Sequence, residues 1–107
     1  MPEARLRLHP KRDTDRQHFY VRVISNRGLP LTDAEVIILL TATGTLEQGK
    51  RSKAQALTTD SRGIVNVTWW VNEPAATAGW LIASVDNRLA DITVHDGQSA
   101  NTDHLKA

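Results

Sequence analysis

The sequence predicts an all-β sandwich of about seven antiparallel strands. Short segments alternate between apolar and polar residues, which is the period of a half-buried strand, and turn signals separate them at short, fairly even intervals. No window of roughly 11–18 residues keeps a helical period, which argues against helices alternating with parallel strands.

Alternation predicts the strands in order. Their ranges are 5–9, 18–25, 35–43, 53–59, 64–71, 80–85 and 89–95. In the second strand Phe19, Val21 and Val23 share one face, and in the last strand Ala90, Ile92 and Val94 do so. Each such face is expected to point into the core, because successive side chains of a strand lie on opposite sides of the sheet.

Two turn motifs separate the strands in the first two thirds of the chain. In Gly28-Leu29-Pro30 the glycine supplies a permissive turn position, and the proline cannot donate to a central strand ladder. In Asp60-Ser61-Arg62-Gly63 an aspartate early and a glycine in fourth position are typical of a type I turn. Both motifs therefore predict reversals between neighbouring strands.

Size and composition restrict the classes of protein. The 107 residues suffice for one domain, predicted over 1–97, and the polar segment 98–107 is expected to be a disordered tail. The absence of cysteine excludes disulfides, thiolate metal sites and cysteine nucleophiles. A net charge of +1 gives no electrostatic reason to expect nucleic acid. No apolar run approaches the roughly 18 residues of a membrane helix, so no membrane insertion is expected.

A search for catalytic motifs predicts that the chain is not an enzyme. The four histidines, at positions 9, 18, 95 and 104, have no metal-ligand spacing. The sequence has no nucleophile elbow, no phosphate-binding glycine loop and no complete calcium loop. We therefore expect no catalytic residue, no metal, no cofactor and no small-molecule substrate.

The third strand is apolar on both faces at its centre, because Ile37 and Leu39 lie opposite the inward residues. Two interpretations remain open. Either a loop or the N-terminal segment covers the strand on its second side, or Ile37 and Leu39 form an exposed stripe for a partner.

The tryptophans suggest further surface residues. Trp69 and Trp70 are neighbours on one strand and must point to opposite faces. Trp69 shares a face with valines and is expected in the core, so Trp70 either contacts a partner or lies at a rim under an Arg or Lys stem. Trp80 is expected to plug one end of the sandwich. The predicted partner surface is Ile37, Leu39 and Trp70, for a protein partner or a homodimer.

Four segments between residues 17 and 95 carry a family resemblance. They are Gly28-Leu29-Pro30, Asp33-Ala34-Glu35-Val36, Thr59-Asp60-Ser61-Arg62-Gly63 and Ala78-Gly79-Trp80-Leu81-Ile82-Ala83. In these places the chain resembles bacterial immunoglobulin-like domains of the invasin and intimin type. The resemblance implies an immunoglobulin-like sandwich with spacer, stalk or adhesion roles and no catalytic residues. Transthyretin-like and carboxypeptidase-regulatory-like domains share the same turn motifs and provide the alternative topology.

Two functions follow from this resemblance. The first is a structural or adhesive module of a bacterial surface or extracellular protein. The alternative is a free-standing protein–protein assembly module, for example in a phage-like or secretion-related particle. Members of the family usually occur in tandem behind a signal sequence, whereas this chain starts at a methionine and holds one copy. The location is expected to be extracellular in the first case and cytoplasmic in the second.

Overall fold

The computed structural model describes residues 2–11, 14–47, 51–71 and 77–99, and its only regular structure there is β-strand. The strands are β1 Glu3–Leu8, β2 Arg16–Ile24, β3 Glu35–Leu40, β4 Ala54–Thr58, β5 Ile64–Trp70, β6 Gly79–Val85 and β7 Asp91–Asp96. Each coincides with a predicted strand, with ends that differ by at most three residues. From residue 100 onward, the tail predicted to be disordered lies outside the described residues.

The strands form two antiparallel sheets. One has four strands in the order β1-β6-β3-β4, and the other has three in the order β5-β2-β7. The pairings between these strands are antiparallel, and the buried side chains of both sheets belong to one apolar cluster. Two sheets that share a core in this way make a β-sandwich, which confirms the predicted fold class.

Two central strand pairs match those of an immunoglobulin domain, and the pairings of β1, β4 and β7 do not. Strand β2 pairs with β5 and β3 pairs with β6, as the second and fifth and the third and sixth strands do in that fold. In an immunoglobulin domain the first strand joins the sheet of the second, and the seventh joins the sheet of the sixth. Here β1 pairs with β6 and β7 pairs with β2, so the two end strands have exchanged sheets. Strand β4 pairs with β3, whereas the fourth strand of an immunoglobulin domain lies beside the fifth.

The core lies between the inner faces of the two sheets. The predicted inward residues of β2, Phe19, Val21 and Val23, are at most 3% exposed. On β5 the buried set includes Val67 and Trp69, the latter with no exposed surface. Period-two alternation therefore predicted the inward side of both strands correctly.

The turn between β4 and β5 has the predicted chemistry. The Gly63 amide donates to the Asp60 carbonyl oxygen over 3.0 Å, which closes the turn. Gly63 adopts φ +75°, a left-handed conformation that favours glycine. A Cβ at this position would also collide with the carbonyl oxygen of Val23. Glycine is therefore required here for its conformation and for the close approach of β2.

Successive strands run in alternate directions along the sandwich. Strand β2 starts where β1 ends, and the Gln17 side chain donates to the His9 carbonyl oxygen at this junction over 3.2 Å. Because seven strands alternate, the first described strand starts at one end of the sandwich and the last one finishes at the other.

Candidate functional site

Alternation in β3 and β6 determines which of their side chains point away from the core. In β3 the even-numbered positions from 36 to 40 are buried, so Ile37 and Leu39 point outward. In β6 the odd-numbered positions from 79 to 85 are buried, so Trp80 and Ile82 point outward. All four side chains therefore lie on the outer face of the four-stranded sheet.

Strand register brings these side chains together. Leu39 pairs with Ile82 on one side and with Ala54 on the other, and Ile37 pairs with Ala56. Directly paired residues of antiparallel strands point to the same face, with Cβ atoms about 4.5–5.5 Å apart. We call the resulting apolar set the tryptophan face. It consists of Ile37, Leu39, Ala54, Ala56, Trp80 and Ile82.

The tryptophan face is partly open to solvent. Leu39 is 43% exposed and Trp80 is 37% exposed, while Ile37 and Ile82 are half-buried. The outward face of an antiparallel sheet is commonly polar when nothing covers it. Within the described residues the face is a partly exposed apolar stripe, and its use by a partner stays a prediction.

Strand β1 borders the tryptophan face with charged side chains. Arg5 pairs with Ile82, and Arg7 pairs with Trp80 across the strands. The Arg7 guanidinium carbon lies 5.3 Å from the centroid of the Trp80 ring, a cation–π contact that holds the indole against the sheet. The Arg5 Nε atom donates to a Glu3 carboxylate oxygen over 2.7 Å, and both side chains stay substantially exposed.

Trp70 lies on the other sheet. It points away from the core on β5, because its neighbour Trp69 is buried on the inward side. The guanidinium of Arg16, its cross-strand partner, lies 5.3 Å from the Trp70 ring centroid. The structure thus brings Ile37 and Leu39 together but separates both from Trp70, so the predicted trio does not form one surface. For Trp70 the geometry agrees with the rim position under an arginine stem.

Sequence reasoning missed four members of the face, the large side chains Trp80 and Ile82 and the small ones Ala54 and Ala56. Trp80 does not plug an end of the sandwich, because its neighbours Gly79 and Leu81 are buried on β6 and Trp80 therefore points outward. A Cβ on Gly79 would lie 2.6 Å from the Ala42 backbone, so glycine fits the inward position there. The signal was available in principle, since alternation with Leu81 inward assigns positions 80 and 82 to one side.

The outer face of the three-stranded sheet is polar by comparison. The rings of Tyr20 and His95 stack with centroids 4.6 Å apart and an interplanar angle of 14°. His18 Nδ1 and Thr68 Oγ1 form a hydrogen bond of 3.2 Å on the same face. Among the described strand residues, the large apolar side chains exposed most, Leu39 and Trp80, are on the four-stranded sheet. The outer face of the three-stranded sheet carries half-buried Ile24, Ile64 and Trp70.

A polar pocket of about 420 Å³ lies beside β5. Its described lining residues are His18, Phe19, Arg62, Asn66, Val67, Thr68, Gln98 and Ser99. Ser99 Oγ donates to Asn66 Oδ1 over 3.0 Å, so these two lining side chains already bond to each other. These residues offer hydrogen bonds but include no carboxylate.

One carboxyl group has a shifted pKa, and the turn explains the shift. Burial by itself raises the pKa of Asp60, but hydrogen bonds from the amides of Ile64 and Arg62 and from the Arg62 side chain outweigh it. The pKa of Asp60 is therefore held below its ordinary value of 3.8. The carboxylate fastens the turn between β4 and β5. Within the described part of the chain, no three His, Asp or Glu side chains lie close enough together to hold a metal ion.

A comparison of the chain with protein families, with curated proteins and with solved structures gave no match. The resemblance to bacterial immunoglobulin-like domains therefore depends on the turn and strand motifs alone. A separate search of the described residues found no helix with the length and apolar character needed to cross a membrane.

Proposed function

We propose that the chain is a non-enzymatic module that binds another protein through the tryptophan face. The observation that supports this proposal is the contiguous apolar set on the outward side of an antiparallel sheet. Exposed apolar patches of this kind, rimmed by polar residues, are typical of protein–protein contacts. Small molecules prefer concave pockets, whereas the outer side of a sheet offers a broad surface suited to another protein.

The character of the face favours a protein over nucleic acid. Arg5 and Arg7 border the face, but Glu3 lies on the same strand and pairs with Arg5. A nucleic-acid surface needs a continuous basic stripe, and the net charge of +1 supplies no long-range attraction to phosphates. Tryptophan and arginine are also the residue types most enriched among the dominant contacts of protein interfaces.

Trp80 is well placed to be a main contact. The Arg7 guanidinium already contacts its ring, 5.3 Å from the centroid, so binding removes less rotational freedom from it than from a mobile side chain. Burying such a pre-positioned aromatic group is expected to contribute more per unit area than burying a mobile side chain. Leu39, the most exposed large apolar member of the face, lies one row away on β3.

A second candidate function is a structural or adhesive module of a bacterial surface protein. The alternate strand directions favour it, because the first described strand starts at one end of the sandwich and the last finishes at the other. A domain with this arrangement can be joined end to end with others in a stalk. Flanking repeats and a signal sequence in the gene would support the stalk, and a stop codon directly after Ala107 would support a free-standing module.

Site-specific photo-crosslinking tests the proposed function. Benzoylphenylalanine is placed at Leu39 in the tryptophan face and, as a matched control, at Thr93 on the outer face of the other sheet. In cells that make the protein, we expect a discrete adduct from position 39 and none from position 93. The adduct should disappear when Trp80→Lys is added. Equal patterns at both positions, or no adduct at position 39, would contradict the proposal.

A further inference from the structure

We infer that the protein bound at the tryptophan face is a second copy of this chain, in a two-fold dimer whose facing strands run antiparallel. The inference rests on the proposed function, because it names the partner of the same face. Its support is the order of charges beside the face, the low net charge of the chain and the area that the face offers.

Residues that pair across neighbouring strands form rows that run across the sheet, and charged residues of β1 lie at the ends of several of these rows. One row runs across the sheet from Arg5 through Ile82 to Leu39, according to the strand register. The next row runs from Glu3 through Ser84 to Ile37. The two rows are neighbours, so a positive charge and a negative charge stand at equivalent positions about the line midway between them. The row of Arg7 and Trp80 lies beyond the Arg5 row, away from this line.

A two-fold axis that lies between these rows and parallel to them exchanges one row with the other. It places Arg5 opposite the partner's Glu3, and Glu3 opposite the partner's Arg5. It also places Leu39 opposite the partner's Ile37, so apolar groups meet in the middle. Each copy therefore presents to the other the charges and apolar groups that complement its own, as an isologous contact requires.

The other axis that brings the two faces together runs parallel to the strands. It lays β1 of one copy over β4 of the other, where the outward residues include Ala54 and Ala56. Arg5 and Glu3 would then lose water against methyl groups and gain no charged partner across the interface. Desolvation of charges without a compensating partner is unfavourable, so the antiparallel arrangement is preferred.

The overall charge of the chain does not oppose this association. With a net charge of +1, two copies repel each other only weakly at long range, and salt screens most of that repulsion. A strongly charged chain with the same face would not associate as readily.

The area of the face sets the expected strength. Four strands spaced about 4.8 Å apart and three rows spaced about 6.8 Å apart cover roughly 400 Å² per copy, or about 800 Å² for the pair. This lies at the low end of specific interfaces, where contacts are weak and reversible. We therefore expect a dimer that forms only above roughly 10 µM protein.

Sedimentation equilibrium of the full chain, from about 5 µM to about 1 mM, tests the inference in a concentration range that covers weak dimers. We expect the wild type to move from monomer to dimer across this range. Leu39→Lys and Ala56→Glu should each weaken the dimer at least about tenfold, because each places a charge inside the apolar contact. Thr93→Lys, which adds the same charge on the other sheet, should leave dimerisation unchanged. Circular dichroism and urea unfolding verify that each variant is folded.

A charge exchange tests the antiparallel arrangement itself. Arg5→Glu places two carboxylates opposite each other across the interface and is expected to weaken the dimer about fivefold at low salt. The double variant Glu3→Arg/Arg5→Glu restores an opposite charge at both positions, so dimerisation should return to near the wild-type level. If Arg5→Glu has no effect on the dimer, the antiparallel arrangement is wrong.

A wild type that stays monomeric at about 1 mM, far above the concentration where a contact of this area should form, would overturn the inference. A dimer that Leu39→Lys leaves intact and Thr93→Lys disrupts would also overturn it. The photo-crosslink at position 39 then separates this failure from failure of the proposed function. A heterologous adduct from a monomeric chain leaves the module as a binding protein with a different partner, whereas no adduct and no dimer remove both proposals.

Discussion

The indole Nε1 of Trp69 donates a hydrogen bond to the backbone carbonyl oxygen of Thr43, with 2.7 Å between the two atoms. Trp69 belongs to β5 in the three-stranded sheet, whereas Thr43 follows β3 in the four-stranded sheet. The bond therefore ties the two sheets together at one end of the sandwich. It also satisfies the single polar atom of a fully buried side chain, which would otherwise cost free energy.

Replacing the adjacent residues Trp69 and Trp70 with alanine should lower the stability by very different amounts. Trp69→Ala removes the largest fully buried side chain and its bond to Thr43, so it is expected to lower the free energy of unfolding by about 3–5 kcal/mol. Trp70→Ala removes a half-buried ring under Arg16 and should cost only about 1 kcal/mol. Urea unfolding followed by far-ultraviolet circular dichroism measures both. Equal losses would contradict the opposite placement of the two rings.

Gly44 should be intolerant of a side chain because space and conformation both oppose one. It has φ +103°, and a Cβ there would collide with the Trp70 carbonyl oxygen and lie 2.9 Å from Trp69 Nε1. Gly97 has a similar φ of +97°, but nothing lies within 4 Å of a Cβ built there. Gly97→Ala therefore measures the conformational cost alone, expected to be about 1–2 kcal/mol.

Gly44→Ala is expected to exceed the Gly97→Ala loss by about 1–3 kcal/mol, the usual penalty of overpacking. Thermal unfolding of the two variants side by side gives this difference directly. Indistinguishable melting temperatures would mean that the loop after β3 moves freely away from β5.

The sequence predicted local features of the fold well because they depend on neighbouring residues. The inward side of β2, with Val21 and Val23, follows from period-two alternation within nine residues. The turn at Gly63 follows from its own four residues. The prediction that Trp80 plugs the sandwich end was wrong, although the predicted strand 80–85 contained it, because alternation with Leu81 inward places Trp80 on the outer side of β6.

The candidate site was predicted only in part because it depends on strand order. Alternation shows that Ile37 and Trp70 both point away from the core, but it does not show to which sheet each belongs. The pairing of β3 with β6 joins segments more than 40 residues apart in the chain and brings Ile82 beside Leu39. No local pattern in the sequence specifies such a contact, so the composition of the tryptophan face required the structure.

Thr59 should be sensitive to loss of its hydroxyl. It is 2% exposed, and its Oγ1 donates to the Leu31 carbonyl oxygen over 2.6 Å and accepts from the Ala34 amide over 2.8 Å. Thr59→Val keeps the shape but leaves both backbone groups without this partner, so we expect a loss of about 1–3 kcal/mol.

Thr58→Val is the matched control for this change, because Thr58 is exposed on the edge strand β4. A change of less than about 0.5 kcal/mol is expected there, as at most surface positions. Urea unfolding at neutral pH compares the two variants. If Thr59→Val is as stable as Thr58→Val, the hydroxyl does not hold the connection before β3 to the end of β4.

Asp60 should make stability depend on pH in the acidic range. Its pKa in the folded chain lies below the ordinary value of 3.8, because the amides of Ile64 and Arg62 stabilise the charged form more than burial opposes it. The unfolded state therefore takes up the proton first as the pH falls. The stabilisation is fully present above pH 3.8 and is lost as the pH falls through the lower folded pKa.

Asp60→Asn should be less stable than the wild type at neutral pH, and the difference should shrink below pH 3.8. Ser61→Ala, which alters the same turn without removing a titrating group, should differ from the wild type by a constant amount. Urea unfolding from about pH 7 to about pH 2.5 measures both differences in unfolding free energy. If the difference between Asp60→Asn and the wild type stays constant with pH, the carboxylate does not stabilise the turn through its charge.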